Sequence, residues 1–76
     1  MGKITGVTYG NDYLVAVRFD NNHLVTIDMK EKLHTARFSE LRDEQVFQAV
    51  KTDGKSIYWP GGIAIAISEI IEIVTK

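Results

Sequence analysis

The sequence predicts an α+β domain: an antiparallel three-stranded meander, one or two short helices and a C-terminal return strand. Three observations predict this fold class. Apolar and polar residues alternate between residues 3 and 28, with interruptions at the turn-forming clusters Gly10-Asn11-Asp12 and Asp20-Asn21-Asn22. Apolar residues around Phe47 follow helical spacing. Trp59-Pro60-Gly61-Gly62 contains the only tryptophan and the only proline, and predicts a tight turn between two strand-like runs.

The meander is predicted from three strands in order. In the first, residues 3–9, Ile4, Gly6 and Thr8 alternate with Thr5, Val7 and Tyr9. The second, residues 13–19, has Tyr13, Val15, Val17 and Phe19 on one face and Leu14, Ala16 and Arg18 on the other. The third, residues 23–28, has Leu24 and Thr26 opposite Val25 and Ile27. Short turns between such strands favour antiparallel pairing.

The pattern then changes to short helical segments. Residues 29–33 predict at most one helical turn, Ser39 is a candidate cap for another, and Asp43 is a candidate cap for a helix over residues 44–50. Thr52-Asp53-Gly54-Lys55 predicts a turn before a fourth strand. We expect this strand, around Trp59, to complete the sheet.

The C-terminal segment has two interpretations. Residues 63–67 alternate isoleucine with alanine, as a strand does. Ser68 and Glu69 resemble a helix start, and Ile70, Ile71 and Val74 follow helical spacing, although isoleucine favours strands. We predict a short helix over 68–74. The surplus of isoleucine in this segment either completes the core or is covered by a second subunit.

Composition bounds the class of protein. The 76 residues predict a single small domain, 1–76, in which 45% of residues are hydrophobic and 25% are charged. Residues 1–38 carry five Lys/Arg and four Asp/Glu, and residues 39–76 carry four and six, so neither half has the positive excess that nucleic acid binding requires. The chain has no cysteine, no signal-peptide pattern at its start and no membrane-length apolar run. We therefore expect a cytoplasmic protein with no membrane or direct nucleic acid contact.

Catalytic and metal-binding patterns are absent from the sequence. A metal site would need His23 and His34 together with a carboxylate such as Asp28, and their spacing matches no ligand pattern. The aspartates are typical of turns and helix caps, which explains them without catalysis: Asp12, Asp20, Asp28, Asp43 and Asp53. Gly61-Gly62 lacks the residues of a phosphate-binding loop. We expect no catalytic residues, no metal and no cofactor, and hence no enzyme.

The candidate site is an interaction surface formed by Tyr58, Trp59, Ile63 and Ile65. Large aromatic residues are enriched at interfaces, and Pro60 lies beside this pair of aromatics. The alternative is that one aromatic packs on the core and the other covers an edge.

An ordered set of short segments resembles the small bacterial domains of the family called domain of unknown function 2442. The resemblance covers about residues 7 to 67. It rests on Asp12-Tyr13-Leu14, Val17-Arg18-Phe19-Asp20, Ile27-Asp28, Phe38-Ser39-Glu40-Leu41, Phe47 and Ile57-Tyr58-Trp59-Pro60-Gly61-Gly62. The family pattern has an acidic residue soon after the Trp-Pro segment, whereas Gly62, Ile63 and Ala64 are uncharged here.

The resemblance implies no established catalytic residues. Some members of that family carry a helix-turn-helix DNA-binding domain after this one, which has no counterpart in these 76 residues. Others are encoded beside a second small protein, which implies antitoxin-like pairing. We therefore expect a non-catalytic protein-interaction module that forms a homo-oligomer or pairs with a small protein partner. An antitoxin-like regulatory protein is the alternative, and a small-ligand binder or enzyme is a more distant one.

Overall fold

The first sheet is the predicted meander. The computed structural model describes residues 2–75, and its first three strands are β1 (Ile4–Tyr9), β2 (Leu14–Phe19) and β3 (Leu24–Asp28). They pair antiparallel in the order β1-β2-β3. The loop between β2 and β3 contains Asn22 at a φ of 67°, a conformation that asparagine tolerates better than most residues. The α+β class and the meander are confirmed.

A bulge at Thr5 changes which residues of β1 share a face. Ile4 pairs with Phe19, whereas Gly6 already pairs with the residue before Phe19. One extra residue in a strand shifts its alternation by one position. Strict alternation placed Ile4 with Gly6 and Thr8, and this grouping is wrong because the bulge turns Ile4 into the core, where it is 4% exposed.

Short helical segments connect the two sheets. Two 3-10 turns, Glu31–His34 and Ser39–Arg42, precede α1 (Glu44–Gln48). Asp43 caps α1 as predicted, since its carboxylate accepts a hydrogen bond from the Gln45 N–H at 2.9 Å. The prediction that Ser39 caps a helix is wrong: its hydroxyl donates to the Ala36 carbonyl at 3.2 Å.

A second antiparallel sheet contains β4 (Lys51–Thr52), β5 (Ser56–Trp59) and β6 (Ile63–Ala66), in that order. The prediction that the Trp59 strand completes the first sheet is therefore wrong. Two tight turns supply β5 with a partner on each side, because Gly54, Gly61 and Gly62 adopt φ values of 94°, 94° and 83°. The Ile4 N–H donates to the Gly54 carbonyl at 2.9 Å and thereby links the two sheets.

The chain closes with α2 (Ile67–Thr75), which decides the helix-or-strand alternative for residues 68–74 in favour of the helix. Ile70 is fully buried, and α2 packs against β3 and β6. The side chain of Val74, predicted to share this apolar face, lies outside the described part of the structure. No helix within residues 2–75 is long and apolar enough to cross a membrane.

One hydrophobic core lies between the two sheets and the helices. Each fully buried aliphatic or aromatic side chain in it contributes about 1.5–3 kcal/mol. Its buried members are Ile4, Val15, Val17, Phe19, Ile27, Met29, Leu33, Phe38, Leu41, Phe47, Ile57, Trp59, Ile63, Ile65 and Ile70.

Candidate interaction surfaces

The four residues predicted as an interaction surface lie in two different environments. Tyr58 is 38% exposed, but Trp59, Ile63 and Ile65 are buried in the core, at 2%, 7% and 0% exposure. The prediction of a shared surface is wrong for these three residues. Alternation explains the result, since Trp59 pairs with Ile63 and both point to the inner face of the sheet, whereas Tyr58 points outward.

Trp59 joins the second sheet to α1. Its indole N–H donates a hydrogen bond to the Phe47 carbonyl at 3.0 Å in a buried position, and its ring stacks on the Phe47 ring with centroids 6.4 Å apart. A buried tryptophan N–H needs such a partner. Trp59, the first residue of the Trp-Pro-Gly-Gly segment, therefore anchors α1 to the second sheet.

Large apolar residues are exposed instead on the outer face of the first sheet. Leu24 is 57% exposed and Leu14 is 37% exposed. The registers of the three strands place both on the face opposite the core. We call this the outer sheet face and define it by eight residues: Gly6, Thr8, Leu14, Ala16, Arg18, Leu24, Thr26 and Asp28.

The outer sheet face has small side chains at its centre and one charge at each end. Ala16 lies in the middle strand, between Thr8 and Thr26. At one end Arg18 pairs with Leu24, and at the other Leu14 pairs with Asp28. Each end of the face therefore carries one leucine and one charge, and the charges have opposite signs.

The two charges are available to a partner. The side chain of Arg18 forms no hydrogen bond or ion pair within residues 2–75, although its carbonyl accepts from the Thr5 hydroxyl. Asp28 uses one carboxylate oxygen to accept the Lys30 N–H at 2.9 Å. The second carboxylate oxygen of Asp28 takes no part in this hydrogen bond.

A second feature is a small aromatic cavity of about 130 Å³ between the β1–β2 turn and α1. Tyr9, Tyr13 and Phe47 supply its rings. The Tyr13 and Phe47 centroids are 5.0 Å apart and those of Tyr9 and Phe47 are 6.4 Å apart, both in edge-to-face geometry. Two carboxylates, Asp12 and Glu44, also line this aromatic cavity, together with Gly10, Asn11 and Gln48.

The turn beside the aromatic cavity is strained. Asp12 and Tyr13 both adopt positive φ, 59° and 62°, and for a bulky residue such as Tyr13 this is a rare conformation that costs about 1–3 kcal/mol. The Tyr13 hydroxyl donates to the Arg42 carbonyl at 2.9 Å, and the Tyr13 carbonyl accepts the Met29 N–H at 2.9 Å. The first of these bonds holds the Tyr13 ring, and the second holds the backbone of the turn. Tyr13 was predicted to begin the second strand, which instead begins at Leu14.

Arg37 forms an ion pair with Glu69 and covers part of a sheet edge. Its guanidinium donates to both Glu69 carboxylate oxygens at 2.7 and 2.9 Å and to the Ala64 carbonyl, on the edge strand β6, at 2.6 Å. The hydrogen bond to Glu69 raises the pKa of Arg37, and the same bond lowers the pKa of Glu69. The Arg37 guanidinium also lies over the Phe38 ring, with its Cζ 4.8 Å from the ring centroid. A carbonyl occupied in this way is not free to pair with another strand.

The residues considered for chemistry do not converge. Within residues 2–75 no group of three or more histidine or acidic side chains could hold a metal ion. The His23 ring lies 3.4 Å from the Asn21 side-chain nitrogen, in its own hairpin loop. Asp28, Asp43 and Asp53 each accept the backbone N–H of the residue two positions later, as turn and cap aspartates do.

A family model described as protein of unknown function (DUF2442) matches residues 4–76. The chain belongs to this family. No curated protein and no solved structure matches it. For this DUF2442 chain, the fold and the chemistry of its exposed surfaces therefore provide the basis for a functional proposal.

Sequence reasoning missed the exposed leucines of this DUF2442 domain, although the signal was present. Leu14 and Leu24 each fall on the polar face of an alternating strand, opposite Val15 and Val25. A leucine at such a position is exposed if the strand is half-buried. The strain at Tyr13 left no such signal, because an aromatic residue in a strand-like run gives no reason to expect positive φ.

Proposed function

We propose that this protein is a non-catalytic interaction module that forms a homodimer through its outer sheet face. The observation that supports this most directly is the exposure of Leu14 and Leu24 on a face whose two ends carry opposite charges. One leucine and one charge at each end, with charges of opposite sign, give two copies of this face complementary contacts.

The arrangement of the face is self-complementary. If two copies pack face to face with their strands antiparallel, the Arg18 end of each copy lies over the Asp28 end of the other. Stacked sheets lie about 10 Å apart and adjacent strands about 4.8 Å apart, so an arginine side chain reaches a carboxylate one strand over. The same arrangement brings Leu24 of one copy next to Leu14 of the other.

The small residues of the outer sheet face favour close approach of two sheets. Gly6, Ala16 and the two threonines have short side chains, so they leave the leucines and the charged groups as the projecting parts of the face. Aligned packing of two sheets requires side chains that interdigitate. A partner with the same pattern of projections and depressions fits this requirement.

A matched pair of variants tests the proposal. Leu24→Asp places a carboxylate within the proposed interface, whereas Tyr58→Asp places one on the second sheet at a residue that is also exposed. Light scattering should give twice the 8.6 kDa chain mass for the unaltered protein and for Tyr58→Asp, and 8.6 kDa for Leu24→Asp. Circular dichroism checks that both variants are folded.

The proposal would be overturned if the unaltered protein had a mass of 8.6 kDa at every concentration. It would also be overturned if Tyr58→Asp dissociated a dimer that Leu24→Asp left intact.

A further inference from the structure

We infer that the aromatic cavity binds a single organic cation, the alkylammonium or guanidinium group of a lysine or arginine side chain in a partner peptide. This inference does not rest on the dimer. The aromatic cavity and the outer sheet face share no residue.

The rings of the aromatic cavity supply the first part of the recognition. Tyr9 is 48% exposed and its ring meets Phe47 edge to face, so part of the Tyr9 surface remains open to a ligand. The electron-rich face of a tyrosine or phenylalanine attracts a cation that approaches the ring centroid.

The charge of the lining supplies the second part. Asp12 and Glu44 line the cavity, and no lysine, arginine or histidine does. Neither carboxylate forms a side-chain hydrogen bond or ion pair within residues 2–75. Arg42, which precedes α1, directs its Nε to the Leu33 carbonyl at 3.0 Å. Both carboxylates are therefore available to a ligand.

The strained turn fixes the geometry before a ligand arrives. The Tyr13 ring is held by the hydroxyl bond to the Arg42 carbonyl and by its contact with Phe47. The Gly10 N–H donates to the Leu14 carbonyl at 2.8 Å and closes the turn around Asp12. Binding to a site already in its bound form loses less conformational entropy than binding to a flexible one.

The volume of the cavity limits the ligand. At about 130 Å³ it is smaller than the sites of about 300–1,000 Å³ that enclose drug-sized ligands. A single side-chain end group fits this volume, whereas a nucleotide or a larger cofactor does not.

Titration of the ¹⁵N-labelled full chain, followed by amide chemical shifts, tests the inference. The probes are Nα-acetyl-lysine amide and Nα-acetyl-arginine amide, and the neutral control is Nα-acetyl-norleucine amide. We expect saturable shifts at the amides of residues 9–13 and 44–48 with both cations and none with the control. Absence of saturable shifts there, or equal shifts with norleucine, would overturn the inference.

Variants separate specific recognition from general charge attraction. Asp12→Asn removes the charge but keeps a residue that tolerates positive φ, and Glu44→Gln removes the other charge. We expect each to weaken binding at least threefold. Glu31→Gln, which makes the same change in net charge at a residue that does not line the cavity, should leave the affinity unchanged. A similar loss in Glu31→Gln would show that the effect is only one of net charge.

Two further comparisons test the rings and the source of the cation. Tyr9→Leu keeps an apolar side chain but removes a ring, and we expect at least threefold weaker binding; unchanged affinity would overturn recognition by the rings. If n-butylammonium bound more tightly than the capped lysine, the assignment to a peptide would be wrong and free amines would be the ligands.

Discussion

Tyr58 and Trp59 are neighbours in the chain and have opposite roles. Trp59 is 2% exposed and its indole holds the Phe47 carbonyl, whereas Tyr58 is 38% exposed on the outside of the second sheet. In a strand, adjacent side chains point to opposite faces, so only one of two adjacent aromatics can face the core. The alternative prediction is confirmed for Trp59, which packs on the core, but Tyr58 lies on the central strand β5 and covers no edge.

A charge introduced at Ile65 should therefore unfold the protein rather than dissociate an oligomer. Ile65 is fully buried, and truncating such a residue to alanine alone costs about 2–5 kcal/mol. A small domain has a total stability of about 5 kcal/mol or little more. We expect Ile65→Asp to lose its native circular dichroism spectrum, and Tyr58→Asp to keep it. A folded Ile65→Asp variant would contradict the burial described here.

The positions of the turns were predicted well from the sequence, because glycine, asparagine and aspartate have specific backbone preferences. The positive φ values of Asn22, Gly54, Gly61 and Gly62 all fall in predicted turns. Tyr13 could not be predicted in this way, since its conformation is imposed by contacts with α1 and the segment around Arg42 that no local pattern encodes.

At the scale of elements, Arg37 and Glu69 connect the segment before α1 to α2. The bidentate contact and the bond to the Ala64 carbonyl tie three elements together. Both side chains are well exposed, at 50% and 39%, so we expect only a small contribution to stability at neutral pH.

The acid side of the stability curve should report these contacts. The Arg37 hydrogen bond lowers the pKa of Glu69 below its usual 4.5, and the N–H groups of Lys55 and Ser56 lower the pKa of Asp53 below 3.8. A carboxylate whose pKa is lower in the folded state stabilises the protein at pH values above its unfolded-state pKa. This stabilisation is lost as the pH falls through the folded-state pKa.

We therefore expect the urea midpoint to fall as the pH drops below about 4.5, the ordinary value for glutamate. The double variant Glu69→Gln, Asp53→Asn should show a smaller fall over the same range, measured by urea unfolding at several pH values. An identical pH profile in the double variant would contradict the assigned contacts.

Alternation predicted the strands of the meander, and caps and turn residues predicted where most elements begin. It did not predict the bulge at Thr5, since one inserted residue leaves the apolar pattern almost unchanged. It did not predict the second sheet either. Whether a strand such as β5 joins an existing sheet or forms a new one depends on packing across the core rather than on its own sequence.

At the scale of the whole molecule, the core accounts for most of the isoleucines that raised the question of a second subunit. Ile63, Ile65 and Ile70 are buried within one chain, and Ile67 and Ile73 are partly buried against the same core. The exposed apolar residues that could support self-association lie instead on the first sheet, where Leu24 pairs with Arg18 and Leu14 pairs with Asp28.

The most direct test of this account is the mass, by light scattering, of two charge-reversed variants, alone and mixed. In the proposed antiparallel dimer each Arg18 lies beside Asp28 of the other copy. Arg18→Asp and Asp28→Arg should therefore each give 8.6 kDa alone, because like charges then face each other across the interface. An equimolar mixture restores opposite charges in every pair and should give twice that mass. Dimers of either variant alone, or a mixture that stays at 8.6 kDa, would contradict the proposed interface.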